Sequence, residues 1–314
     1  MAIRSTPAGE HVPVMLAEVL HALDVKPGET AVDCTLGAAG HAAELLRLVG
    51  TTGRLIAVDL DSANLEPARM KLREIGDNFE LHTRNFAGLT QWLPDGTDVA
   101  LADLGVSSMQ IDDPLRGFSY RRSGPLDMRM DPKRGRTAAE LLRTLSVDEL
   151  TRALDELGDF AEFGPNAAQQ LAAAVKSSPP NTTDQLTNLI LRHVPPPPPP
   201  PGKLIKPWQL KYRPVACAYQ ALRILVNREL ANLSELLRIL PAVLRPGGRI
   251  AIISFHSGED RLVKQSFREG MRNGVYSAVA DDAIRAGYQE RQTNPRSRSA
   301  KLRWARRGNN PMTH

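Results

Sequence analysis

The chain predicts an α/β protein: a parallel, Rossmann-like sheet covered on both faces and interrupted by an all-helical insertion. Three observations carry this. First, the opening hundred residues alternate short apolar runs with helical spacing. "TAVDC" (30–34), "RLIAVD" (54–59), "FELHT" (79–83) and "DVALADLG" (98–105) read as strands, and "AAELLRLV" (42–49) and "SANLEPARMKLREIG" (62–76) as the helices between them. Strands separated by helices form βαβ units, whose strands are near-continuously apolar because helices cover both faces. Second, the pattern changes between Asp112 and Tyr212, where strand signals stop. The amphipathic stretches "AAELLRTL", "DELTRALDEL", "AAQQLAAAV" and "DQLTNLILRHV" follow one another there. That segment ends in seven prolines, Pro195–Pro201, which favour an extended, semi-rigid return linker roughly 20 Å long. Third, the sheet resumes. "VACAYQALRILVNRELANLSELLRIL" reads as one long helix, "RPGGRIAIISFHS" as a turn and a strand, and "EDRLVKQSFREG" as a helix. The expected organisation is a sheet domain in two parts, residues 1–111 and 213–314, with a helical domain at 112–212 between them.

Composition bounds the function. A chain of 314 residues with 42% apolar content can bury a full core. Forty Lys and Arg against 35 Asp and Glu give a mild positive excess, which permits a polyanionic partner without requiring one. The excess is local: from Asn294 onward Arg296, Arg298, Lys301, Arg303, Arg306 and Arg307 occur with no acidic side chain. Two cysteines, Cys34 and Cys217, are too few for a disulfide framework or a cysteine zinc site, and no metal is expected. There is no apolar run of transmembrane length, and "MAIRSTPAGEHVP" lacks the apolar core of a signal peptide. A cytoplasmic protein without a membrane partner is expected, and a homodimer is allowed.

The loop "VDCTLGAAGH" (32–41) follows the first strand and starts the first covering helix. Parallel sheets bind ligands beyond the carboxyl ends of their strands, and Asp59 ends the second strand about 20 residues after the loop glycines, where a carboxylate suits a ribose diol. Dinucleotides and S-adenosylmethionine share this layout. In the dinucleotide fingerprint a second glycine lets the backbone approach the pyrophosphate, and here that position is Ala39, whose β-carbon is expected to obstruct it. S-adenosylmethionine has no phosphate and tolerates one glycine fewer. Phe86, after the third strand, offers a ring to an adenine or to the core. Asp103, after the fourth, is either a carboxylate at the cleft mouth or a helix cap.

Over nearly its whole length the chain resembles the bacterial 16S rRNA cytosine-N4 methyltransferases, the RsmH or MraW family. The matching segments are "HVPVMLAEVL", "DLGVSSMQIDD", "RGFSYRRSGPLDMRMDPKRG", "TAAELL", "QALRILVNREL", "LRPGGRIAIISFHSGEDRLVK" and "NPRSRSAKLR". The resemblance implies a class I S-adenosylmethionine-dependent methyltransferase sheet with a helical domain inserted after the fourth strand. It implies methylation of the exocyclic N4 of a cytidine in the decoding centre of 16S rRNA within the small ribosomal subunit. It also carries cofactor contacts onto Ala39, Gly40, His41, Asp59, Phe86, Asp103 and Gln110, of which only Ala39 replaces the family's usual glycine.

Cytosine N4 is a poor nucleophile because its lone pair is delocalised, so positioning and an acceptor for an N4 hydrogen are the expected devices. Asp103 is the first candidate acceptor. His256, in "SFHSGED", is the second, with a packing role as its alternative. "RGFSYRRSGPLDMRMDPKRGR" carries seven basic and two acidic residues with two aromatics, a composition that can hold phosphates and stack bases. Arg121 and Arg122 there, and Arg296, Arg298, Lys301 and Arg303 in the tail, are the expected RNA contacts. The target base must be splayed out of its stack to expose N4. Four features depart from the family pattern: "DCTLGAAGH" stands for "DGTxGxGGH", Cys217 for an arginine, "DFAEFGPNAAQQ" for a stretch with paired arginines after the insertion's acidic helix, and the proline run for a basic linker. A methyltransferase on another RNA or a small molecule, and a catalytically weak ribosome-assembly protein, therefore stand as alternatives.

Overall fold

The computed structural model describes residues 12–309 except 92, 94, 200 and 203. The N-terminal "MAIRSTPAGEH" and Pro200 of the proline run lie outside the described residues. The chain divides into two compact units, one of residues 1–105 with 230–314 and one of 106–229.

The first unit begins with α1 (Leu16–Leu23), β1 (Thr30–Asp33), α2 (Gly40–Val49), β2 (Arg54–Asp59), α3 (Leu65–Arg73), β3 (Phe79–Thr83) and β4 (Thr97–Asp103). The second unit holds α4 (Ser108–Asp112), α5 (Ala138–Thr144), α6 (Val147–Gly158), α7 (Ala167–Ser177), α8 (Thr183–His193), α9 (Pro207–Lys211) and α10 (Arg213–Asn227). The chain then gives α11 (Glu229–Val243), β5 (Leu244–Ser254), α12 (Ser257–Arg272), β6 (Tyr276–Val279), α13 (Tyr288–Thr293) and β7 (Lys301–Arg307).

The seven strands form one sheet in the order β3-β2-β1-β4-β5-β7-β6. β1 to β5 pair in parallel, whereas β7 is antiparallel to both β5 and β6. Successive side chains on a strand face opposite ways, and the core follows this period. Ala31, Leu55, Val99, Leu101, Ala251 and Ile253 enter one buried cluster with Leu45 and Leu46 of α2. Their neighbours Val32, Ile56, Ala100, Ile250 and Ile252 enter another with Leu236 and Leu240 of α11 and Phe267 of α12. Both faces being covered, the inner strands have no polar side, which is why they read as unbroken apolar runs. The strand order reverses between β1 and β4, and a parallel sheet has its binding crevice at such a switch point, beyond the carboxyl ends.

The helical unit has its own core, with Leu142, Leu154, Phe160, Leu171, Ile190 and Leu222 buried together. Each such side chain stabilises by about 1.5–3 kcal/mol through its removal from water. Its helices start where the sequence supplies caps: Thr137 with Glu140, and Ser146 with Glu149, form reciprocal capping boxes. The unit runs past the expected boundaries of 112 and 212. Val215, Ala218, Ala221 and Leu222 of α10 are buried in its core, so α10 is part of it. The single long helix expected over 215–240 is two. Arg228 adopts a left-handed φ of 51° that ends α10, and Asn227 beside it donates to Met128 O and accepts from Met130 N. Pro195–Pro199 forms neither helix nor strand. Among the described residues no helix is long and apolar enough to cross a membrane.

Candidate active site

At the switch point the ends of β1, β2 and β4 each carry an aspartate: Asp33, Asp59 and Asp103. Asp59 ties its strand to the loop before α2. Its Oδ2 accepts from Gly37 N at 2.8 Å and Asn64 Nδ2 at 2.9 Å, and its Oδ1 accepts from Asp61 N at 2.8 Å. A carboxylate has about four acceptor positions, so about one remains for a ribose hydroxyl. Burial pushes the Asp59 carboxyl upward against the pull of these three donors. Asp33 Oδ1 accepts from Thr35 N at 3.0 Å, and Asp103 N donates to Thr35 Oγ1 at 2.7 Å. Thr35 therefore links the ends of β1 and β4.

Asp103 is the least satisfied group. Its Oδ1 is buried and has no hydrogen-bond partner among the described residues. Its Oδ2 lies 3.6 Å from His41 Nδ1, too far for a hydrogen bond. His41 is buried, with Nε2 3.0 Å from Val14 O. A carbonyl only accepts, so Nε2 carries the proton and Nδ1 turns a lone pair toward Asp103. Burial lowers the His41 pKa to about 4, so the ring is neutral and supplies no positive charge. Burial foremost, then the charge of Asp33, pushes the Asp103 carboxyl up to about 8, with Arg296 pulling it down and Glu259 adding to the rise. Asp33, raised by burial first, stands at about 7. Acidic groups thus gather with little cationic compensation, and an unpaired buried carboxylate is costly. A positively charged ligand with a ribose relieves that cost, and S-adenosylmethionine fits both requirements.

The loop shows why Ala39 is tolerated. Gly37 and Ala39 both have left-handed φ, 48° and 55°, a region where a β-carbon costs on the order of 1–2 kcal/mol. The Ala39 side chain is fully buried in the core. This corrects the expectation that its β-carbon obstructs a pyrophosphate: the methyl group points into packing, and the position demands backbone shape. Ala39 N is itself used, donating to Leu36 O at 2.7 Å. Gly40 is needed for close approach, since a β-carbon there would lie 3.1 Å from Pro13.

The other expected residues divide. Phe86 is half-buried and packs against the apolar layer under α11 and α12, so the core use of this ring is present. Gln110 belongs to the helical unit, where its Oε1 accepts from Ser107 N at 3.0 Å and closes the capping box of α4. His256 caps α12: its Nδ1 accepts from Glu259 N at 3.4 Å. Its Nε2 lies 3.3 Å from Glu259 Oε1 but outside hydrogen-bond geometry. Glu259 is buried, and its Oε2 accepts from Phe255 N and His256 N at 2.8 and 3.3 Å.

Of the expected RNA contacts, Arg303 is corrected. It is 5% exposed and its Nε donates to Asp260 Oδ1 at 2.7 Å. Lys301 donates to Asp260 Oδ2 at 2.9 Å. The reason is β7: the tail is an inner strand between β5 and β6, and its basic side chains answer a carboxylate on α12. Arg298 is exposed and uses Nε on Arg291 O at 2.8 Å, whereas Arg296 acts on Asp103. Arg121 and Arg122 are exposed on the helical unit. Sequence reasoning missed Asp33, Thr35 and Glu259. The signals were a strand-terminal Asp two residues before a Thr, and a Glu three residues after His256 in a capping-box spacing.

The sheet order and a ribose-and-cation site at its switch point define a class I methyltransferase, with S-adenosylmethionine as its cofactor. Residues 8–308 match the MraW methylase family, and the chain belongs to it. It is 44% identical over 306 residues to "Ribosomal RNA small subunit methyltransferase H 2" of Alkaliphilus metalliredigens, covering 96% of this chain and 86% of that one. It is 39% identical to "Ribosomal RNA small subunit methyltransferase H" of Acidobacterium capsulatum, over 94% and 97%. An rRNA methylase structure from Streptococcus thermophilus aligns with TM-score 0.42 and 12% identity over 93% of this chain and 92% of its own, too distant to assign residues.

Proposed function

We propose that this protein methylates the exocyclic N4 of a cytidine in the decoding centre of 16S rRNA, in the cytoplasm, on small-subunit particles. Family membership and the names of the relatives support rRNA of the small subunit as the substrate. The observation that carries the chemistry is the buried, unpartnered Asp103 Oδ1 at the end of β4.

S-adenosylmethionine supplies an electrophilic methyl on a positively charged sulfur. Asp59 holds a ribose hydroxyl, and the loop from Gly37 to His41 shapes the wall beside it. Asp103 Oδ1 accepts a hydrogen from the N4 amine, which localises the nitrogen lone pair for attack on the methyl carbon. As the new N–C bond forms and the sulfur keeps the electron pair of the old bond, the N4 proton passes to Asp103. A carboxyl near 8 is a strong enough base for the acidic ammonium-like product. His41 stays neutral and leaves the charge of Asp103 uncompensated. His256, with Nδ1 committed to the α12 cap, positions the segment after β5 and does not relay the proton.

The test is transfer of a labelled methyl group to small ribosomal subunits lacking their native modification, followed by mapping of the labelled nucleoside. Label on N4-methylcytidine at one decoding-centre position is expected. Label elsewhere would transfer the reading to another RNA, and no cofactor binding by calorimetry would leave only an assembly role.

A further inference from the structure

The helical unit has a surface that the cofactor chemistry does not use. The segment after the prolines, "LIKPWQLKYR" (204–213), carries three basic residues and no acidic one. Arg213 is occupied, donating to Glu162 at 2.7 and 2.8 Å. Lys206 and Lys211 are exposed. Trp208 is 44% exposed, an unusual place for an indole. Tyr212 N donates to Trp208 O at 3.1 Å, so the two rings lie one helical turn apart, with Lys211 on the same side. Lys211 Nζ sits 5.8 Å from the Tyr212 ring centroid. The other neighbour of Tyr212 is Tyr120, stacked at 6.0 Å with an interplanar angle of 13°. That stack brings exposed Arg121, next to Tyr120 in the chain, close to the segment, whereas Arg122 donates from Nη1 to Asp112 O. Two acidic residues lie near Arg122: Asp184, which accepts from Ser123 Oγ at 2.6 Å, and exposed Asp112, whose carbonyl Arg122 uses.

We propose that this face, Arg121, Lys206, Trp208 and Lys211, is a docking surface for single-stranded RNA. An exposed aromatic ring such as Trp208 accepts an unpaired base by stacking, whatever its sequence, and cations beside it hold the phosphates, whereas half-buried Tyr212 stacks on Tyr120 and supports the segment. A membrane surface would need a wider apolar face than one indole and the exposed Leu204, and an acidic protein would not need the ring. The inference rests on the rRNA methyltransferase reading and names how this chain holds that RNA.

The test uses the full chain and a short single-stranded oligoribonucleotide, with affinity measured across a salt series. Trp208→Ala should weaken binding about tenfold, and Trp208→Phe, which keeps a ring, should retain most of it. The Lys206→Ala, Lys211→Ala double variant should lower the salt slope by roughly 1.4, about 0.7 for each phosphate that is no longer neutralised. Unchanged affinity in Trp208→Ala with an unchanged melting temperature would overturn the proposal. So would polyglutamate competing as well as RNA, which would mark a general acidic-partner site. Binding is read without methyl transfer: if transfer fails while binding depends on Trp208, only the methyltransferase reading falls. If transfer proceeds and Trp208→Ala binds normally, only the surface falls.

Discussion

The strand ends at the switch point and the helical unit treat charge in opposite ways. In the sheet unit, Asp33, Asp59 and Asp103 end neighbouring strands, and burial pushes all three upward, Asp33 to about 7 and Asp103 to about 8. In the helical unit charged residues answer one another. Arg129 pairs with Asp127 at 2.8 Å, Arg223 with Glu229 at 2.9 Å, and Glu140 and Glu149 sit below their usual pKa because capping donors hold them. Compensated charge serves the fold. Uncompensated buried charge costs stability and persists where a ligand or a reaction will use it.

The sharpest way to break this contrast is Asp103. Asp103→Ala should reduce methyl transfer by about 10²–10⁴-fold, the usual worth of a positioned acid or base, while the corresponding change at His256 costs less. Transfer within a fewfold of wild type would clear Asp103 of a chemical role and leave His256 the better candidate. Because the acceptor must be ionised, kcat/KM should rise with pH through a limb at or below about 8, lowered toward neutrality as the cationic cofactor binds. Next in size is Asp59→Ala. It removes the acceptor for Gly37 N and for a ribose hydroxyl, and loss of a hydrogen bond to a charged group is worth about 1.5–3 kcal/mol. Calorimetry should show cofactor affinity down by about tenfold or more; equal heats would detach Asp59 from the site.

Stability sharpens the same comparison. Asp33 and Asp103 have folded pKa values of about 7 and about 8 against ordinary values of 3.8. The folded state therefore binds more protons than the unfolded state between those limits. The resulting stability is present below about pH 4 and is lost as pH rises through 7 to 8. Asp103→Asn should flatten that decline, so that the variant gains on wild type in melting temperature at pH 8 relative to pH 5. A parallel decline in both proteins would show that Asp103 is not the group responsible.

The inner strands β1, β2 and β4 are legible in the sequence because each is a short apolar run ending in an aspartate, and burial on both faces forces the apolar part of that pattern. The tail was harder. "AKLRWARR" looks like a phosphate-binding patch, yet Leu302 and Ala305 are buried in the clusters on opposite faces of the sheet and Arg303 is drawn inward by Asp260, 43 positions away. Composition reports the charge, whereas only topology reports that β7 lies between two strands. The break at Arg228 hid for a similar reason. Its left-handed turn is stabilised by contacts of Asn227 with Met128 and Met130, distant in sequence, and nothing local in "LVNRELAN" forbids a continuous helix. Thr35 was missed because bridging two strands is a property of the sheet register.

The smallest effect is expected at Ala39. A glycine there would relieve on the order of 1–2 kcal/mol of left-handed strain. It would also give up a buried methyl worth about 0.8 kcal/mol and loosen the unfolded chain by about 0.4–1 kcal/mol. These terms nearly cancel, so Ala39→Gly should move the melting temperature by no more than about 3 °C. Cofactor affinity should stay within about threefold, because the backbone already holds the shape a glycine would take and the methyl packs into the core. A tenfold gain in affinity would show instead that strain in the loop opposes binding, and that the alanine weakens the site through the backbone and not through its side chain.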